Sequence, residues 1–324
     1  MRSVAIACQG GGSHCAFTAG VLRVLLRKLD PSRISIIGLS GTSGGAFCAA
    51  IAWYSLLLGD REQGARLLDS FWHAISAHSP WDLALNDTLV WLGRVGESFA
   101  LPEASPYQFP PIGQERLAQT LEAHIPFAQL DGLVKPDSPN LLVGAVNILS
   151  GEFTIFQPRH ADPAKRITLQ TLLASAALPT LFRAVSIGTD LYWDGLFSEN
   201  PPIRDFLVQP QNVADKPDEI WVIQINPQTR LDEPTSVHTI SDRRNELSGN
   251  LSLNQEVGFV QQVNDWLQLG WLNADNFKHI EVRWIPLTLD LDYASKLDRN
   301  PAFVRQLIEH GEQIATVFLQ GLPA

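Results

Sequence analysis

The first sixty residues alternate short apolar runs with longer stretches of helical spacing. Residues 4–8 and 34–39 are apolar runs of strand length, and each is followed by a glycine-containing turn. Residues 14–29 and 44–58 carry apolar side chains at helical spacing, and the first of these stretches stops at Asp30-Pro31, because proline cannot continue a helix. The order is therefore β-α-β-α, which predicts a parallel sheet with helices on its faces.

Strand and helix patterns continue to the end of the chain. Residues 141–148 and 151–156 have the pattern of paired strands around Ser150-Gly151, and 187–193 predicts a strand at the turn-forming Gly188-Thr189-Asp190. The remaining predicted elements are strands at 220–225 and 279–285 and helices at 253–269 and 301–319. These patterns predict an α/β fold.

Two segments interrupt the regular pattern. Residues 81–112 are rich in Trp, Phe and Pro with little periodicity, which predicts a long excursion that is either a lid or binding wall, or a plain helical insertion on the surface. The polar residues 228–250 are either a domain boundary or an active-site loop. Since no repeat or linker is found, the sequence favours a single domain over residues 1–324.

Composition and charge restrict the partners and the compartment. The chain has 24 basic and 34 acidic residues, a net charge of −10, and no basic cluster, which argues against nucleic acid and against constitutive binding to an anionic membrane. Its three cysteines, Cys8, Cys15 and Cys48, lie in apolar stretches and are typical of buried thiols in a reducing compartment. The N-terminal apolar run is too short for a signal peptide, and no stretch is long enough to span a membrane. We expect a cytoplasmic protein.

The clearest chemical motif is Gly41-Thr42-Ser43-Gly44-Gly45, a G-x-S-x-G between a predicted strand and a predicted helix. A serine at such a turn has a strained backbone, and Gly41 and Gly45 allow the two limbs of the turn to pass each other. The helix that begins near Gly44 points its N–H groups towards an oxyanion beside Ser43. Outside this context the motif is also found in ordinary glycine-rich turns, but here it predicts a catalytic nucleophile.

Three successive glycines, Gly10-Gly11-Gly12, stand at the end of the first predicted strand. Their exposed N–H groups suit an anion. The pattern is neither a phosphate-binding P-loop nor a full dinucleotide fingerprint, since Cys15 replaces its last glycine. Because both glycine turns end neighbouring strands at one sheet edge, an oxyanion hole is the better interpretation.

The serine needs a base, and Asp194-Gly195 at the end of a predicted strand supplies a candidate. The same dipeptide also occurs in simple turns, as Asp131-Gly132 illustrates. A triad would instead use a histidine that follows in the chain. The candidates His238, His279 and His310 carry no motif, and a structural role is favoured for each.

Taken in this order, Gly10-Gly11-Gly12, Gly41-Thr42-Ser43-Gly44-Gly45 and Asp194-Gly195 resemble the patatin-like phospholipase family. Residues 174–179, Ala-Ser-Ala-Ala-Leu-Pro, with Phe182 beyond them, also resemble the family's segment before the Asp-Gly strand. The resemblance covers about residues 4–202 and leaves the part from about residue 228 atypical of the family. It implies a three-layer α/β fold, mostly parallel, with helices on both faces.

The resemblance also implies the chemistry. Ser43 would be the nucleophile and Asp194 the base of a Ser-Asp dyad, with Gly10, Gly11, Gly12 and Gly44 forming the oxyanion hole and no cofactor. The chain departs from the family at His14, where Arg or Lys is usual, at Cys15 in place of Gly, and at Leu196 in place of Gly or Ala. The departures at His14 and Cys15 imply a hole that differs in shape or charge from the family's, whereas Leu196 is a smaller change. His14 could itself donate to the oxyanion if it were protonated.

The expected substrate is a lipid or another acyl ester, which would be hydrolysed. The alternatives are an acyltransferase, like the malonyl-CoA:acyl-carrier transacylases, and a catalytically silent binding protein. No metal is expected, because His73 and His78 have no further ligand at a suitable spacing. Head group, chain length and oligomeric state are left open. Five aromatic residues could line an acyl channel, touch a membrane surface transiently or belong to the core: Trp81, Trp91, Phe99, Tyr107 and Phe109.

Overall fold

A mixed eight-stranded sheet forms the centre of the molecule, of which the computed structural model describes residues 1–96, 105–179 and 181–323. The strands are β1 (Arg2–Cys8), β2 (Ile34–Gly41), β3 (Asn140–Asn147), β4 (Phe153–Phe156), β5 (Val185–Ile187), β6 (Asp190–Asp194), β7 (Glu219–Gln224) and β8 (Glu281–Pro286). Their order is β5-β6-β3-β2-β1-β7-β8, with β4 paired to β3. The run from β3 to β8 is parallel, and β4, β5 and β6 are attached antiparallel.

Helices cover both faces of this sheet. They are α1 (Cys15–Lys28), α2 (Gly44–Leu58), α3 (Arg61–Ile75), α4 (Pro80–Gly96), α5 (Ile112–His124), α6 (Leu130–Leu133), α7 (Leu169–Ser175), α8 (Asp205–Val208), α9 (Val237–Gln268) and α10 (Pro301–Gln320). Alternate residues of β1 separate two cores: Val4 and Ile6 pack with α1, α2 and α10, whereas Ala5 and Ala7 pack with α8 and α9. The predicted three-layer α/β architecture is confirmed.

The elements predicted from apolar periodicity are found close to their predicted positions. The strands predicted at 4–8, 34–39, 220–225 and 279–285 correspond to β1, β2, β7 and β8. The predicted pairing of 141–148 with 151–156 is confirmed by β3 and β4, and α10 confirms the closing helix. The strand predicted at 187–193 is partly wrong, since Gly188 and Thr189 form the turn between β5 and β6.

The described residues of the segment at 81–112 are largely helical. Helix α4 occupies residues 80–96, and a short 3-10 turn, Pro106–Gln108, precedes α5. Of the two alternatives predicted for this segment, the helical insertion agrees with α4 over residues 81–96, and a role as a lid or binding wall stays a prediction. Phe99 lies outside the described residues.

The polar segment at 228–250 is also more regular than its composition indicated. Helix α9 begins at Val237, sixteen residues before the predicted start, and Ser236 caps it through a reciprocal capping box with Thr239. The interpretation of 237–250 as a loop or boundary was wrong because this helical stretch packs through polar contacts. Glu246, for example, is buried and pairs with Arg230 and Arg243. None of the helices in the described ranges is long and apolar enough to cross a membrane.

Candidate active site

Ser43 lies in a strained turn between β2 and α2. Its φ of 55° and ψ of −131° make it the one non-glycine residue with positive φ in the described part of the chain. Such a conformation costs about 1–3 kcal/mol and is found where the surrounding structure enforces it. The Ser43 N–H donates to the carbonyl and hydroxyl oxygens of Ser175, both at 3.1 Å, which holds the turn in place. Ser43 therefore has the geometry of a nucleophile elbow.

The two outer glycines of the motif are enclosed by backbone. A Cβ on Gly41 would lie 2.6 Å from the Gly45 carbonyl oxygen, and a Cβ on Gly45 would meet the carbonyl oxygens of Cys8 and Gln9. At Gly41 the strand and helix limbs of the turn thus pass too closely for any side chain, as the sequence predicts, whereas the space at Gly45 is closed by the end of β1.

Asp194 ends β6 and is fully buried. Its Oδ1 accepts a hydrogen bond of 2.8 Å from the Leu196 N–H, whereas Oδ2 is buried without a hydrogen-bond partner among the described residues. Burial raises the pKa of this carboxyl to about 7, and interactions with the Leu196 N–H and the Ser43 hydroxyl oppose that rise. The neighbouring Gly195 packs directly on the Gly144 carbonyl, which brings β6 against β3. Asp194 is therefore a carboxylate with the basicity of a general base near neutral pH.

The glycine loop that follows β1 packs against the serine turn. A Cβ on Gly10 would lie 3.1 Å from the Ser43 Cβ, and the Gly10 N–H donates to Asn200 Oδ1 at 2.6 Å. Gly10 was expected to donate to an oxyanion, but its N–H is already engaged, so that expectation is corrected. The N–H groups of Gly12 and Gly44 donate to no described residue, whereas the Gly11 N–H interacts with the Cys15 thiol. Gly12 has a φ of +58°, a conformation that favours glycine.

Ser43, Asp194 and the three loop glycines line one pocket, which we call the Ser43 pocket. It has a volume of about 130 Å³. Its other lining residues are Leu178, Leu181, Leu196, Asn200, Asn226, Asn245, Tyr293, Lys296 and Leu297. Gly44 is not among the lining residues, although it begins α2 directly after Ser43. The pocket therefore combines the predicted nucleophile and base with an apolar part that suits an acyl chain.

Sequence reasoning missed the polar residues that hold this arrangement together. Gln9 Oε1 accepts from the N–H groups of Ile225 and Asn226, and Gln9 Nε2 donates to the Gly249 carbonyl, which ties the glycine loop to β7 and α9. Asn200 holds the loop through Gly10 and has a buried Nδ2 without a partner among the described residues. The contacts of Gln9 and Asn200 join positions that are 190 to 240 residues apart in the sequence, and no local motif marks them.

His14 is buried and turned away from the pocket. Its Nε2 lies 2.8 Å from the Ser295 hydroxyl, and it is not among the residues lining the Ser43 pocket. Burial, with a contribution from the nearby Lys296 charge, lowers the His14 pKa to about 3. His14 is therefore neutral at physiological pH, and the possibility that its protonated side chain serves the oxyanion does not fit this geometry.

The other candidate histidines also lie elsewhere. His238 pairs with Asp242 on α9, His310 contacts Thr288, and His279 is exposed before β8. None of them lines the Ser43 pocket. In the described ranges, no group of three or more His, Cys, Asp or Glu side chains is arranged to hold a metal ion.

Comparison with known proteins places this arrangement in context. The model of the family described as patatin-like phospholipase matches residues 6–207. Among solved structures, VipD from Legionella pneumophila is similar at 13% identity and a TM-score of 0.42, and the type III effector ExoU from Pseudomonas aeruginosa at 16% and 0.38. Each alignment covers 98% of this chain, which spans 66% of VipD and 52% of ExoU. No curated protein matched the sequence.

Proposed function

This chain belongs to the patatin-like phospholipase family, a family of lipid hydrolases, and we propose that it is itself a serine acyl hydrolase that cleaves carboxylic esters of lipids. One observation carries the proposal. Ser43, strained to a positive φ at the start of α2, lines the same pocket as a buried Asp194 whose pKa is raised to about 7. A nucleophile and a base matched to neutral pH are what ester cleavage by covalent catalysis requires.

In the first half of the proposed reaction, Ser43 Oγ attacks the ester carbonyl carbon while Asp194 accepts the hydroxyl proton. The carbonyl oxygen becomes an oxyanion, to which the N–H groups of Gly11 and Gly12 donate, with the N–H of Gly44 at the start of α2 as a further donor. Collapse of this intermediate breaks the bond to the alcohol oxygen, and Asp194 returns the proton to the leaving alcohol. The product is an acyl-enzyme on Ser43.

In the second half, Asp194 accepts a proton from a water molecule whose oxygen attacks the acyl-enzyme. The same N–H groups stabilise the second oxyanion. Its collapse breaks the bond to Ser43 Oγ, to which Asp194 returns the proton, and releases the carboxylic acid. A carboxyl whose pKa lies near neutrality suits both the acceptance and the return of a proton.

The lining of the pocket favours hydrolysis by a dyad over the transacylase alternative. Transacylases of the malonyl-CoA type pair the serine with a histidine and bind a substrate carboxylate through an arginine. Among the described residues, neither a histidine nor an arginine lines the Ser43 pocket. The intact Ser43 and Asp194 also speak against a silent binding protein.

We further propose cytoplasmic action with transient contact to a lipid surface. The three cysteines are free and buried, as suits a reducing compartment. On α4, the side chains of Trp81, Leu85, Leu89 and Leu92 recur every three or four residues and are exposed, Trp81 by 81%. This helix contacts the 3-10 turn Ala294–Leu297, whose last two residues line the Ser43 pocket. An apolar helix surface beside the pocket suits a lipid interface.

The proposed function is tested by comparing Ser43→Ala with the unaltered protein on p-nitrophenyl butyrate and on a glycerophospholipid. We expect kcat/KM to fall at least about 10³-fold, because the attacking oxygen is removed. A fluorophosphonate probe should label the unaltered protein and leave Ser43→Ala unlabelled. Ser70→Ala, which alters an exposed serine on α3, is the matched control and should behave as the unaltered protein. Equal activity of Ser43→Ala and the unaltered protein would refute the assignment.

A further inference from the structure

The proposed reaction leaves one cleft beside the Ser43 pocket unused. This cleft has a volume of about 270 Å³, and its walls are formed by residues of the segment 106–114 and by Leu181, Phe182 and Arg183. We call it the Phe109 cleft. Leu181 is the one described residue that lines both the Phe109 cleft and the Ser43 pocket. The two spaces therefore adjoin at this leucine.

The Ser43 pocket alone is small for a lipid ester. Its volume of about 130 Å³ lies below the range of about 300–1,000 Å³ that is typical of sites for drug-sized ligands. The Phe109 cleft is about twice as large, and the two spaces together reach that range. The Ser43 pocket therefore suits the ester and a short acyl group, whereas a longer chain has to extend beyond it.

The lining of the Phe109 cleft suits an uncharged chain. Phe109, Phe182 and three prolines supply apolar surface, and none of the described lining residues is acidic. The two long polar side chains of the lining are engaged with the backbone. Gln114 Nε2 donates to the Arg183 carbonyl oxygen at 3.2 Å, and the Arg183 guanidinium donates to the Phe109 carbonyl oxygen at 2.7 Å. The surface that remains for a ligand is mostly apolar, and an aliphatic chain is favourably buried against it.

Arg183 also fixes the wall of the cleft. Besides the bond to Phe109, its guanidinium donates to the carbonyl oxygens of Pro106 and Tyr107, both at 3.5 Å, and it lies 5.5 Å from the centre of the Tyr107 ring. The Tyr107 hydroxyl in turn accepts from the Ala184 N–H at 3.1 Å. The segment before α5 is thus held against the chain that leads into β5, and the cleft is a preformed space, as ligand sites usually are.

Resting on the proposed function, we infer that the Phe109 cleft binds the distal part of the substrate's acyl chain, with Leu181 at the boundary between that part and the part held beside Ser43. A chain that reaches past Leu181 gains the apolar surface of the cleft. Each methylene buried in this way corresponds to about a fourfold gain in affinity. The site therefore favours long acyl chains over short ones, and Leu181 determines the length at which this preference begins.

Binding of uncleavable ethers tests the cleft without any turnover. The butyl and decyl monoethers of glycerol differ only in chain length, and neither contains an ester. Isothermal titration calorimetry below the micelle concentration should show at least about tenfold tighter binding of the decyl ether to the unaltered protein. A Cβ on Gly113 would lie 3.5 Å from the Phe182 ring, so the side chain in Gly113→Leu fills the cleft and should remove most of this decyl advantage. Gly258→Leu, at an exposed glycine of α9, is the matched control and should keep it.

Leu181→Ala tests the boundary between the two spaces and keeps the test decisive if Gly113→Leu does not fold. Removal of the leucine side chain joins the cleft to the Ser43 pocket, so the decyl advantage should rise by about threefold or more. Opposite changes in the two variants are not expected from a general loss of structure, which would weaken the binding of both ethers alike. The inference is overturned if Gly113→Leu keeps the full decyl advantage, or if Leu181→Ala leaves it unchanged or lowers it.

Hydrolysis of p-nitrophenyl butyrate by the unaltered protein, measured against Ser43→Ala, reports on the proposed function alone. Esterase activity together with an unchanged decyl advantage in Gly113→Leu refutes the chain-binding cleft and leaves the hydrolase standing. A decyl advantage that Gly113→Leu removes, without esterase activity, refutes the hydrolase and leaves a cleft that binds aliphatic chains. If both proposals hold, the ratio of kcat/KM for p-nitrophenyl decanoate to that for the butyrate should fall in Gly113→Leu and rise in Leu181→Ala. A ratio that is the same in all three proteins would overturn the role of the cleft in the reaction.

Discussion

At the scale of single residues, the proposed chemistry depends on how burial alters the Asp194 carboxyl group. The Asp194 carboxyl accepts from the Leu196 N–H and interacts with the Ser43 hydroxyl, but it lies in a fully buried position, so its charged form is poorly solvated. That raises its pKa to about 7 and makes it a stronger base than an exposed aspartate. The other Asp-Gly dipeptide, at Asp131, is exposed and shows no such environment. The two dipeptides are indistinguishable as sequence, and only their surroundings separate them.

Replacing Asp194, the proposed base, should be nearly as damaging as replacing Ser43, the proposed nucleophile. We expect Asp194→Asn to lower kcat/KM by about 10³-fold, and Ser43→Ala combined with Asp194→Asn to be little worse, because the two groups act as one unit. Steady-state kinetics on p-nitrophenyl butyrate provide the measurement. Asp131→Asn is the matched control and should retain full activity. If Asp194→Asn stays active while a variant of His238, His279 or His310 does not, the base is a histidine.

The raised pKa also predicts the pH profile of the reaction. Because Asp194 must be deprotonated to accept the Ser43 proton, kcat/KM should rise with pH and level off above about 7. Buried Glu199 has a similarly raised pKa of about 7 but does not line the pocket. In Glu199→Gln, kcat/KM should therefore still rise with pH as in the unaltered protein. If that rise vanishes in Glu199→Gln, Asp194 does not control it.

The same burial should make the charged form of Asp194 lower the free energy of unfolding. The pKa of Asp194 is raised on folding, so its protonated form contributes to the stability of the folded protein. This contribution is fully present below the unfolded pKa of 3.8 and is lost as the pH rises through about 7. The loss is on the order of 4 kcal/mol. Asp194→Asn should thus unfold at a higher temperature than the unaltered protein at about pH 8, with the gap closing towards about pH 4. If calorimetry shows the same difference in melting temperature between the two proteins at both pH values, the raised pKa of Asp194 is contradicted.

At the scale of elements, the two glycine turns lie side by side because β1 and β2 are parallel neighbours that end at the same edge of the sheet, with Cys8 opposite Gly41. Short apolar runs and glycine positions predict this arrangement, since both are local features of the sequence. The polar supports are not predictable in the same way. Asn200 and Lys296 act across long stretches of chain, and α9 is stabilised by buried polar pairs that a search for apolar periodicity does not detect.

The backbone N–H donors of the glycine loop should contribute more to kcat than the side chain of His14, which follows the loop. Gly12→Ala forces a Cβ onto the Lys296 carbonyl at a φ of +58°, so we expect kcat to fall about 10²-fold through displacement of the loop N–H groups. His14→Gln can keep the contact with Ser295 and should cost far less. Its pH profile should match that of the unaltered protein, because His14 is neutral there. A limb near pH 6–7 that depends on His14 would instead identify a side-chain donor.

The exposed side of α4 should govern contact with lipid surfaces. Trp81→Ser and Trp91→Ser replace side chains that are 81% and 58% exposed, so the fold should keep its melting temperature. Each should reduce co-sedimentation with zwitterionic phosphatidylcholine vesicles, because an interfacial aromatic is lost. Hydrolysis of monomeric p-nitrophenyl butyrate should be unaffected. Trp271→Ser, at a tryptophan outside α4 that is 70% exposed, is the control, and an equal loss there would refute a role for this helix.

At the scale of the whole molecule, the part of the chain beyond the family match completes the fold. Residues 6–207 contain Ser43 and Asp194, but β7 pairs with β1 in the middle of the sheet, and α10 packs along α1. The sequence predicts these later elements from their periodicity. That they build one wall of the Ser43 pocket, through Asn226, Asn245 and Lys296, depends on long-range packing. We therefore propose that the chain folds as a single domain.

A pair of helical glycines tests that proposal. Gly311 on α10 lies so close to α1 that a Cβ would press on the Phe17 carbonyl, whereas Gly258 on α9 is exposed and has nothing within 4 Å of a Cβ. We expect Gly311→Ala to destabilise the protein by about 1–3 kcal/mol through overpacking, and Gly258→Ala to stabilise it by about 0.5–1 kcal/mol through helix propensity.

If the chain is one domain, Gly311→Ala lowers the temperature of a single cooperative transition, and esterase activity is lost in that same transition. Calorimetry and residual activity after heating provide the two readouts. Should Gly311→Ala instead split the transition, so that α10 melts first while Ser43 remains reactive towards a fluorophosphonate, the C-terminal part folds separately. The single-domain proposal would then be wrong, because a wall that has melted cannot hold Lys296 and Gly12 together in the pocket.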